Sequence, residues 1–281
     1  MRIKLSLKQG RANQLIPINY QYAISSFIYN TIATSDNDYS KWLHSSGLIS
    51  GSKKFKMFTF SKLYLEKSEV TDLYEKKYLK IAGDKAELTI SMLSQKTMEN
   101  FIIGMFENKI LKIFDRNVES SFYINTVELI PEPAFKDVMT FRTISPIVIS
   151  KKSEHNGKIS ESYLSPEDVD YKKYFSNNLE EKLIALIQNN IDLNIFGDVN
   201  INSEMNSIES FEILKGNIKS KLITIKEDSK EETKLRGYNF GFKIKGNPIL
   251  LKIGYEAGFG KSGSMGFGCV EAVKSLHAFG G

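Results

Sequence analysis

Several residue types that build stabilising or catalytic centres are scarce in this chain. A single cysteine, Cys269, excludes an internal disulfide and any zinc site built from several cysteines. No apolar run approaches the ~20 residues that a membrane span requires, and the opening segment MRIKLSLKQG holds no signal-peptide core. We therefore expect a soluble cytoplasmic protein that binds no metal and no cofactor.

Acidic residues are scarce where the basic ones concentrate. Residues 1–130 hold 18 basic and 13 acidic residues, whereas residues 131–281 hold 20 of each, so the net charge of +5 belongs to the first part of the chain. With 41% hydrophobic and 25% charged residues, the composition is that of a globular protein. At ~150 residues per domain, the length favours two domains.

One stretch, residues 39–65, contains no acidic residue at all. Aromatic side chains such as Trp42 and Tyr64 are interleaved with its basic ones. Positive potential beside stackable rings suits single-stranded nucleic acid, although a solvated lysine face next to a core strand is the competing interpretation. The basic residues of the stretch are Lys41, Lys53, Lys54, Lys56 and Lys62.

The first half of the chain predicts the element order β-α-β-β-α-β. Its opening residues, RIKLSLK, alternate strictly between apolar and polar, which indicates a half-buried strand. This order is the ferredoxin-like unit. The predicted elements are a strand at 2–8, a helix after Pro17, a strand at 55–65, a hairpin of strands at 78–81 and 86–92, a helix capped by Ser94 and a strand at 121–130.

The second half repeats this order less cleanly after a break at Pro131-Glu132-Pro133. We predict an α+β protein of two tandem ferredoxin-like (RRM-like, βαββαβ) domains: a catalytic domain at 1–130, a linker at 131–140 and a second domain at 141–281. The duplication rests on element order alone. The elements of the second half are a strand at 141–150, a helix at 166–190, strands near 218–226 and 237–245, a short apolar segment at 249–253 and a strand at 267–273, with a charged turn at 227–234.

Residues 258–268, GFGKSGSMGFG, concentrate glycine near the end of the chain. A dinucleotide fingerprint is excluded because too few residues follow to complete a βαβ unit, and a P-loop is excluded because Tyr255 stands where its first glycine belongs. Two interpretations stay open: a loop whose amides and side chains bind phosphate, with its phenylalanines anchored in the core, or a structural turn. The binding candidates are Gly260, Lys261, Ser262, Ser264 and Gly266.

Together these motifs resemble a known family. The pattern G-h-G-x5-G-h-G resembles the glycine-rich loop of the RAMP superfamily, and shorter motifs in order along the chain resemble the CRISPR-associated Cas6 endoribonucleases. The resemblance runs from about residue 2 to residue 273. The motifs that carry it are Ile28-Tyr29-Asn30, Trp42-Leu43-His44, Lys56-Met57-Phe58-Thr59-Phe60-Ser61, Ser145-Pro146-Ile147 and Gly254-Tyr255-Glu256-Ala257-Gly258-Phe259-Gly260.

This resemblance implies metal-independent cleavage of precursor CRISPR RNA within each repeat, by attack of a 2′-hydroxyl on the adjacent phosphate. It further implies that Tyr29, His44 and Lys56 are the catalytic residues, with Lys53 and Lys54 as alternatives for the lysine. CRISPR repeat RNA is the implied partner. Association with effector-complex subunits, or of two copies with each other, is left open.

The chemistry of the residues points the same way. RNA self-cleavage needs a base, an acid and positive charge at the phosphorane, and histidine is the side chain that ordinarily titrates near neutral pH. Of the three histidines, His155 lies in a polar loop and His277 in the tail, whereas His44 lies in the acid-free basic stretch. A lone histidine is more often structural, but this position and the resemblance together lead us to expect that His44 is catalytic and that the other two are surface residues.

The remaining candidates each have a plainer alternative. Tyr29 lies off the buried stripe of its helix, so its hydroxyl can reach a cleft or merely pack. Lys56 faces opposite to its apolar neighbours, which suits electrostatic stabilisation of a phosphorane. Arg142, at the start of the second domain, is a candidate phosphate contact, whereas Cys269 is expected to be a small buried residue.

Two other functions remain open at this stage. A non-cleaving RAMP subunit that coats guide RNA would share the fold but would have no need of His44. An unrelated RNA-binding module of RRM topology is the second option, although the RRM aromatic signature is absent. We expect RNA to lie in the groove between the two domains and along the glycine loop.

Overall fold

The computed structural model of the chain describes residues 1–155, 158–191, 196 and 208–273. The predictions for His277 and for the side chain of His155 lie outside the described residues. Within this part of the chain, no helix is long and apolar enough to cross a membrane.

The first half folds into three helices and eleven strands within the described residues. Their bounds are β1 (Arg2–Gln9), β2 (Leu15–Pro17), α1 (Gln21–Ser35), α2 (Asn37–Ser45), β3 (Leu48–Ser50), β4 (Lys53–Phe55), β5 (Phe58–Phe60), β6 (Tyr64–Leu65), β7 (Ser68–Leu73), β8 (Lys76–Ile81), β9 (Lys85–Met92), α3 (Gln95–Glu107), β10 (Ile110–Phe114) and β11 (Glu119–Leu129).

The second half has fewer elements and ends in a glycine-rich loop that contains one turn of 3₁₀ helix, Gly263–Met265. Its described elements are β12 (Val138–Thr143), β13 (Ser150–His155), β14 (Lys158–Tyr163), α4 (Tyr171–Gln188), β15 (Ile208–Ile213), β16 (Lys219–Ile225), β17 (Thr233–Asn239), β18 (Gly241–Gly246), α5 (Pro248–Ala257) and β19 (Val270–Ala272).

Each half contains an antiparallel sheet with the same order of strands. Four strands of the first sheet run in the order β11-β1-β9-β5, with β10 added beside β11 and β6 beside β9, and the second sheet runs β19-β12-β18-β15. When these four strands of each sheet are numbered along the chain, the order is fourth, first, third, second, with a helix after the first and third strands. This is the ferredoxin-like βαββαβ unit, and the prediction of two tandem copies in an α+β fold is confirmed.

Alternation in β1 positions the first core. Ile3, Leu5 and Leu7 are almost fully buried under α1 and α3, because successive side chains of a strand point to opposite faces. The Ser94 hydroxyl accepts a hydrogen bond from the Thr97 N–H at 3.3 Å, so it caps α3 as predicted.

Residues close to its two ends determine where helix α2, which carries His44, begins and ends. The Asp36 carboxylate accepts a hydrogen bond from the Tyr39 N–H at 2.9 Å and caps its N-terminus. At its other end Gly47 adopts a left-handed φ of 59°, and its N–H donates to the Trp42 carbonyl at 2.9 Å. The last turn of α2 therefore presents His44 at a fixed place.

Two strand predictions in the first half are wrong. The segment 55–65 is not one strand, because Met57 has a φ of 53° and separates β4 from β5. Strands β8 and β9 do not pair with each other: β8 pairs with β2 and β7, whereas β9 pairs with β1 and β5. Alternation shows that a segment is a strand, but it does not show which neighbour the strand pairs with.

The structure of the second half differs more from its predicted elements than that of the first half. The apolar segment at 249–253 is part of helix α5, which Asn247 caps and Pro248 opens. The strand predicted near 218–226 belongs to the β16-β17 hairpin, and its expected place in the main sheet is taken by β15. Strand β12 begins at Val138, inside the segment 131–140 predicted as a linker. The exact domain boundaries stay a prediction.

The two hydrophobic cores do not divide at the predicted linker. Leu48, Phe55 and Met57, all from the first half, pack in the core of the second half against α4. The β3-β4 hairpin, which follows His44 and precedes Lys56, is therefore seated on the second half of the molecule.

Candidate active site

Tyr29 lies on α1, and its side chain is buried, with 8% of its surface exposed. Its ring makes edge-to-face contacts with His44, at 4.9 Å between centroids, and with Phe58, at 5.4 Å. The Ser40 hydroxyl donates to the Tyr29 carbonyl at 2.8 Å and ties α2 to α1. The prediction that Tyr29 lies off the buried stripe is wrong, since Tyr29 packs among core residues.

Burial makes Tyr29 a weaker acid. It raises the pKa of the phenol to about 12, and the hydroxyl of Ser264, which lies against it, partly offsets this rise. The phenol carries its proton at neutral pH, as it would at the ordinary pKa of about 10. His44, by contrast, is exposed on the last turn of α2 and is open to a ligand.

Lys56 reaches the same place from the short connection between β4 and β5. Its ammonium group donates to the His44 carbonyl at 2.7 Å, and burial together with the nearby charge of Lys54 lowers its pKa to about 8. Lys54 donates to the Ser45 carbonyl at 3.0 Å. Both lysines therefore cap the C-terminus of α2, where the helix dipole attracts cations.

Lys53 differs from its two neighbours. Its ammonium group forms an ion pair with Glu181 of α4, and its side chain is more than half exposed. Of the three lysines considered for the phosphorane, Lys56 is thus the one whose ammonium group lies at the backbone of His44.

The glycine loop of residues 258–268 lies across β5. Phe259 and Phe267 are fully buried, as predicted for anchors, and so is Cys269. The Thr59 hydroxyl donates to the Phe267 carbonyl at 2.8 Å. A Cβ added to Gly266 would lie 2.4 Å from the ring of Phe60, so this glycine permits close packing on the first sheet.

The donors of the loop are divided between the protein and the solvent. The Gly266 N–H is already donated to the Gly263 carbonyl at 2.9 Å. No carbonyl among the described residues accepts the N–H groups of Gly260, Ser262, Gly263 and Ser264. These amides, unlike that of Gly266, are available to an anion.

Of two side chains predicted to bind RNA, Lys261 has partners within the protein and Arg142 lies apart from the Tyr29 cluster. Lys261 donates to the Ser150 hydroxyl at 2.8 Å and pairs with Glu161 of β14. Arg142 is exposed on β12, opposite Gly241 and Glu271, and none of its described contacts joins it to the Tyr29 cluster. The structure thus brings together Tyr29, His44, Lys54, Lys56 and Ser264, while Lys53 and Arg142 stay outside.

Two buried cations were not found by reasoning from the sequence. Arg2 was expected on a polar face, but it is 4% exposed, donates to the carbonyls of Val270 and Tyr255, and stacks 3.5 Å from the centre of the Tyr255 ring. Lys182 of α4 is 5% exposed and holds two carbonyls of the glycine loop. The sequence feature that could have revealed Lys182 is its position on the apolar face of α4, between Leu179 and Leu186.

The faces of the two sheets that the helices leave uncovered border a cavity of about 1070 Å³. Tyr29, His44 and Lys56 do not line it. Its charged lining comes from both halves of the chain and carries both signs. The residues are Arg2, Lys4, Lys62, Lys136 and Lys243 together with Glu87, Glu132 and Glu271. Across the described residues, no three side chains of the types His, Cys, Asp and Glu come together as metal ligands.

The chain thus consists of two ferredoxin-like domains, with the glycine-rich loop of the second packed on β5 of the first. The family model for the N-terminal region of the CRISPR-associated protein Cas6 matches residues 15–128, and the family model for the C-terminal region of Cas6 matches residues 130–272. This chain belongs to the Cas6 family of CRISPR-associated proteins.

Individual proteins are similar to this chain over nearly its whole length. The CRISPR-associated endoribonuclease Cas6 1 of Methanocaldococcus jannaschii is 32% identical over 277 residues, which is 99% of this chain and 94% of that protein. A solved structure of a CRISPR-associated protein Cas6, also 32% identical, superposes with a TM-score of 0.69 over 98% of this chain and 99% of its own. The product of a Cas6-related gene from Pyrococcus furiosus, 24% identical, shares the fold with a TM-score of 0.77 over 98% of this chain and 99% of its own.

Proposed function

We propose that this protein is a metal-independent endoribonuclease that cleaves precursor CRISPR RNA within its repeats to release guide RNA. The observation that carries the proposal is the cluster of Tyr29, His44 and Lys56, formed where α1, the end of α2 and the connection between β4 and β5 meet. Membership of the Cas6 family supports it, as does the name endoribonuclease given to the relative from M. jannaschii.

The proposed reaction needs no group beyond side chains and RNA. A base removes the proton of a 2′-hydroxyl, the 2′-oxygen attacks the adjacent phosphorus, and the bond from phosphorus to the 5′-oxygen breaks. An acid returns a proton to the leaving 5′-oxygen. The products are a 2′,3′-cyclic phosphate and a 5′-hydroxyl.

Protonation assigns a role to each residue of the cluster. Tyr29, with a pKa of about 12, holds its proton and serves as the donor to the leaving oxygen. Histidine is the side chain type that ordinarily accepts protons near pH 7, so His44 takes the proton of the 2′-hydroxyl. Lys56, with a pKa of about 8, is charged at pH 7 and stabilises the phosphorane.

RNA would approach this cluster along the basic surfaces. The open faces of the two sheets supply a groove with lysines from both halves, and the amides of Ser262, Gly263 and Ser264 offer donors to phosphate oxygens. Lys54 adds charge beside Lys56, whereas Lys261 is paired with Glu161 and Arg142 lies apart from the cluster. Contact of these two side chains with RNA stays a prediction. Association with effector subunits, or of two copies with each other, stays a prediction.

The test is incubation with the host's own repeat RNA in EDTA, followed by analysis of the product ends. We expect cleavage that persists in EDTA and stops when the nucleotide 5′ of the cut carries a 2′-deoxy sugar. His44→Ala should lower the rate by ~10²-fold or more, with His155→Ala and His277→Ala as matched controls. Cleavage of the deoxy substrate would refute the mechanism, and binding without cleavage would support a subunit that coats guide RNA.

A further inference from the structure

Lys182 is a charged residue in an apolar position. It lies on the face of α4 that carries Leu179 and Leu186, and only 5% of it is exposed. Burial of an ammonium group is costly unless hydrogen bonds compensate it. Here burial lowers the pKa of Lys182 to about 7, against an opposing effect of Glu181.

The compensation comes from the glycine loop. The Lys182 ammonium group donates to the carbonyl of Gly258 and, at 2.8 Å, to that of Gly260. Both glycines have a positive φ, 87° and 78° respectively, a backbone conformation that lets the two carbonyls flank Phe259. One side chain thus holds both ends of the first turn of the loop.

That turn determines where the rest of the loop lies. Residues 263–265 follow it as a single 3₁₀ turn, and a Cβ on Gly263 would lie 2.7 Å from the carbonyl of Phe58 on β5. In this position the Ser264 hydroxyl lies against the hydroxyl of Tyr29. A displaced loop would therefore lose its contact with Tyr29.

Helix α4 also holds the opposite side of the site. Glu181 forms an ion pair with Lys53, and the Asn189 side chain, just after α4, donates to the Ile49 carbonyl at 2.8 Å. Lys53 and Ile49 both belong to the β3-β4 hairpin, which lies in the chain between His44 and Lys56. Adjacent residues of one helix thus contact the two segments that flank the cluster.

We propose that Lys182 is a positioning residue of the active site, which holds the carbonyls of Gly258 and Gly260 and so fixes the glycine loop with Ser264 against Tyr29. This inference rests on the proposed cleavage of RNA at Tyr29, His44 and Lys56. Lys182 is buried, so its proposed role is exerted through the loop and not by contact with RNA.

The test uses two substitutions of similar length. Lys182→Met removes every donor, whereas Lys182→Gln keeps an amide donor. Lys173→Met, an exposed lysine of the same helix, is the control. At saturating RNA and at a temperature where each variant is folded, we expect Lys182→Met to cleave about 10-fold more slowly or worse, because a small misplacement of a reacting group is costly. Lys182→Gln should recover part of the rate, and Lys173→Met should match the wild type.

A double-mutant cycle separates positioning from general weakening of the fold. If Lys182 acts through Ser264, then Lys182→Met combined with Ser264→Ala should lose little more rate than the worse single variant. Losses that multiply would overturn the proposal, as would an unchanged rate in Lys182→Met. Failure of both Lys182 variants to fold would also overturn it, because the lysine would then serve the fold.

Amide hydrogen exchange without RNA gives a readout independent of cleavage. In Lys182→Met we expect faster exchange at Phe259, Lys261 and Gly268, whose N–H groups are bonded in the wild type, and unchanged exchange in β1. Unchanged exchange in the loop would overturn the proposal. If the wild type cleaves no RNA, the proposed function fails, yet the exchange result still decides whether Lys182 holds the loop.

Discussion

Substitution of Gly260 by alanine tests whether the glycines of the loop serve the fold or the ligand. Gly260 has a φ of 78°, and a Cβ there would lie 2.5 Å from the carbonyl oxygen of Val148. That oxygen accepts the Lys261 N–H at 2.9 Å. The added methyl group therefore strains the backbone of residue 260 and displaces an oxygen that is already hydrogen-bonded.

The expected cost has three parts. An L-residue in the left-handed region costs about 1 to 2 kcal/mol, and loss of the hydrogen bond from Lys261 costs about 1 kcal/mol. Overpacking at a buried site adds about 1 to 3 kcal/mol. We therefore expect Gly260→Ala to lower the free energy of unfolding by roughly 3 to 6 kcal/mol.

Gly51→Ala is the matched control. Gly51 also has a positive φ, 57°, but a Cβ added there would meet no atom within 4 Å, so only the backbone cost of about 1 to 2 kcal/mol applies. Urea unfolding of both variants and of the wild type measures the difference through the midpoint at constant slope. Equal shifts for the two variants would refute the packing argument. An unshifted midpoint with lost RNA affinity would show that Gly260 serves binding.

The other expectations concern the cluster and the contact between the halves. At saturating RNA, the rate of cleavage should fall as the pH rises through about 8, because Lys56 then loses its charge, and Lys56→Arg should remove this fall. Tyr29→Phe keeps the ring beside His44 but should cleave ~10²-fold more slowly with RNA affinity little changed. Arg2→Met should lower the free energy of unfolding by about 2 to 5 kcal/mol, measured by urea unfolding with the exposed Lys8→Met as control.

Local patterns in the sequence were enough for much of the fold. The alternation of RIKLSLK gives β1 and its buried face, and Ser94 gives the start of α3, because both signals depend on neighbours in the chain. The phenylalanines of the glycine loop were likewise predicted as anchors, and both are fully buried. Such features need no knowledge of distant residues.

Other features depend on partners that periodicity does not name. The segment 249–253 was not predicted as a helix because four of its five residues are apolar, and so short an apolar run shows no period that separates a helix from a strand. Arg2 looked like part of a polar strand face, yet it is buried by Tyr255, which lies far along the chain. A sequence pattern shows the face of an element, but it does not show what covers that face.

The candidate site shows the same division at the level of chemistry. Residue types and the basic stretch singled out His44 and Lys56, but they did not separate the three lysines. The structure shows different contacts for them, since Lys53 pairs with Glu181 and Lys56 donates to the His44 carbonyl. Which lysine serves the reaction stays a prediction. Both of these contacts depend on the β3-β4 hairpin, which is seated by Leu48 and Phe55 in the core of the second half.

The site is therefore a property of two docked domains and not of the first domain alone. His44 and Lys56 flank a hairpin that packs on α4, and Tyr29 meets Ser264 of the C-terminal loop. Lys182 joins these two supports, since the helix that seats the hairpin also holds the loop. Any motion of one domain against the other would change both sides of the cluster together, so its geometry is fixed by the contact between the domains.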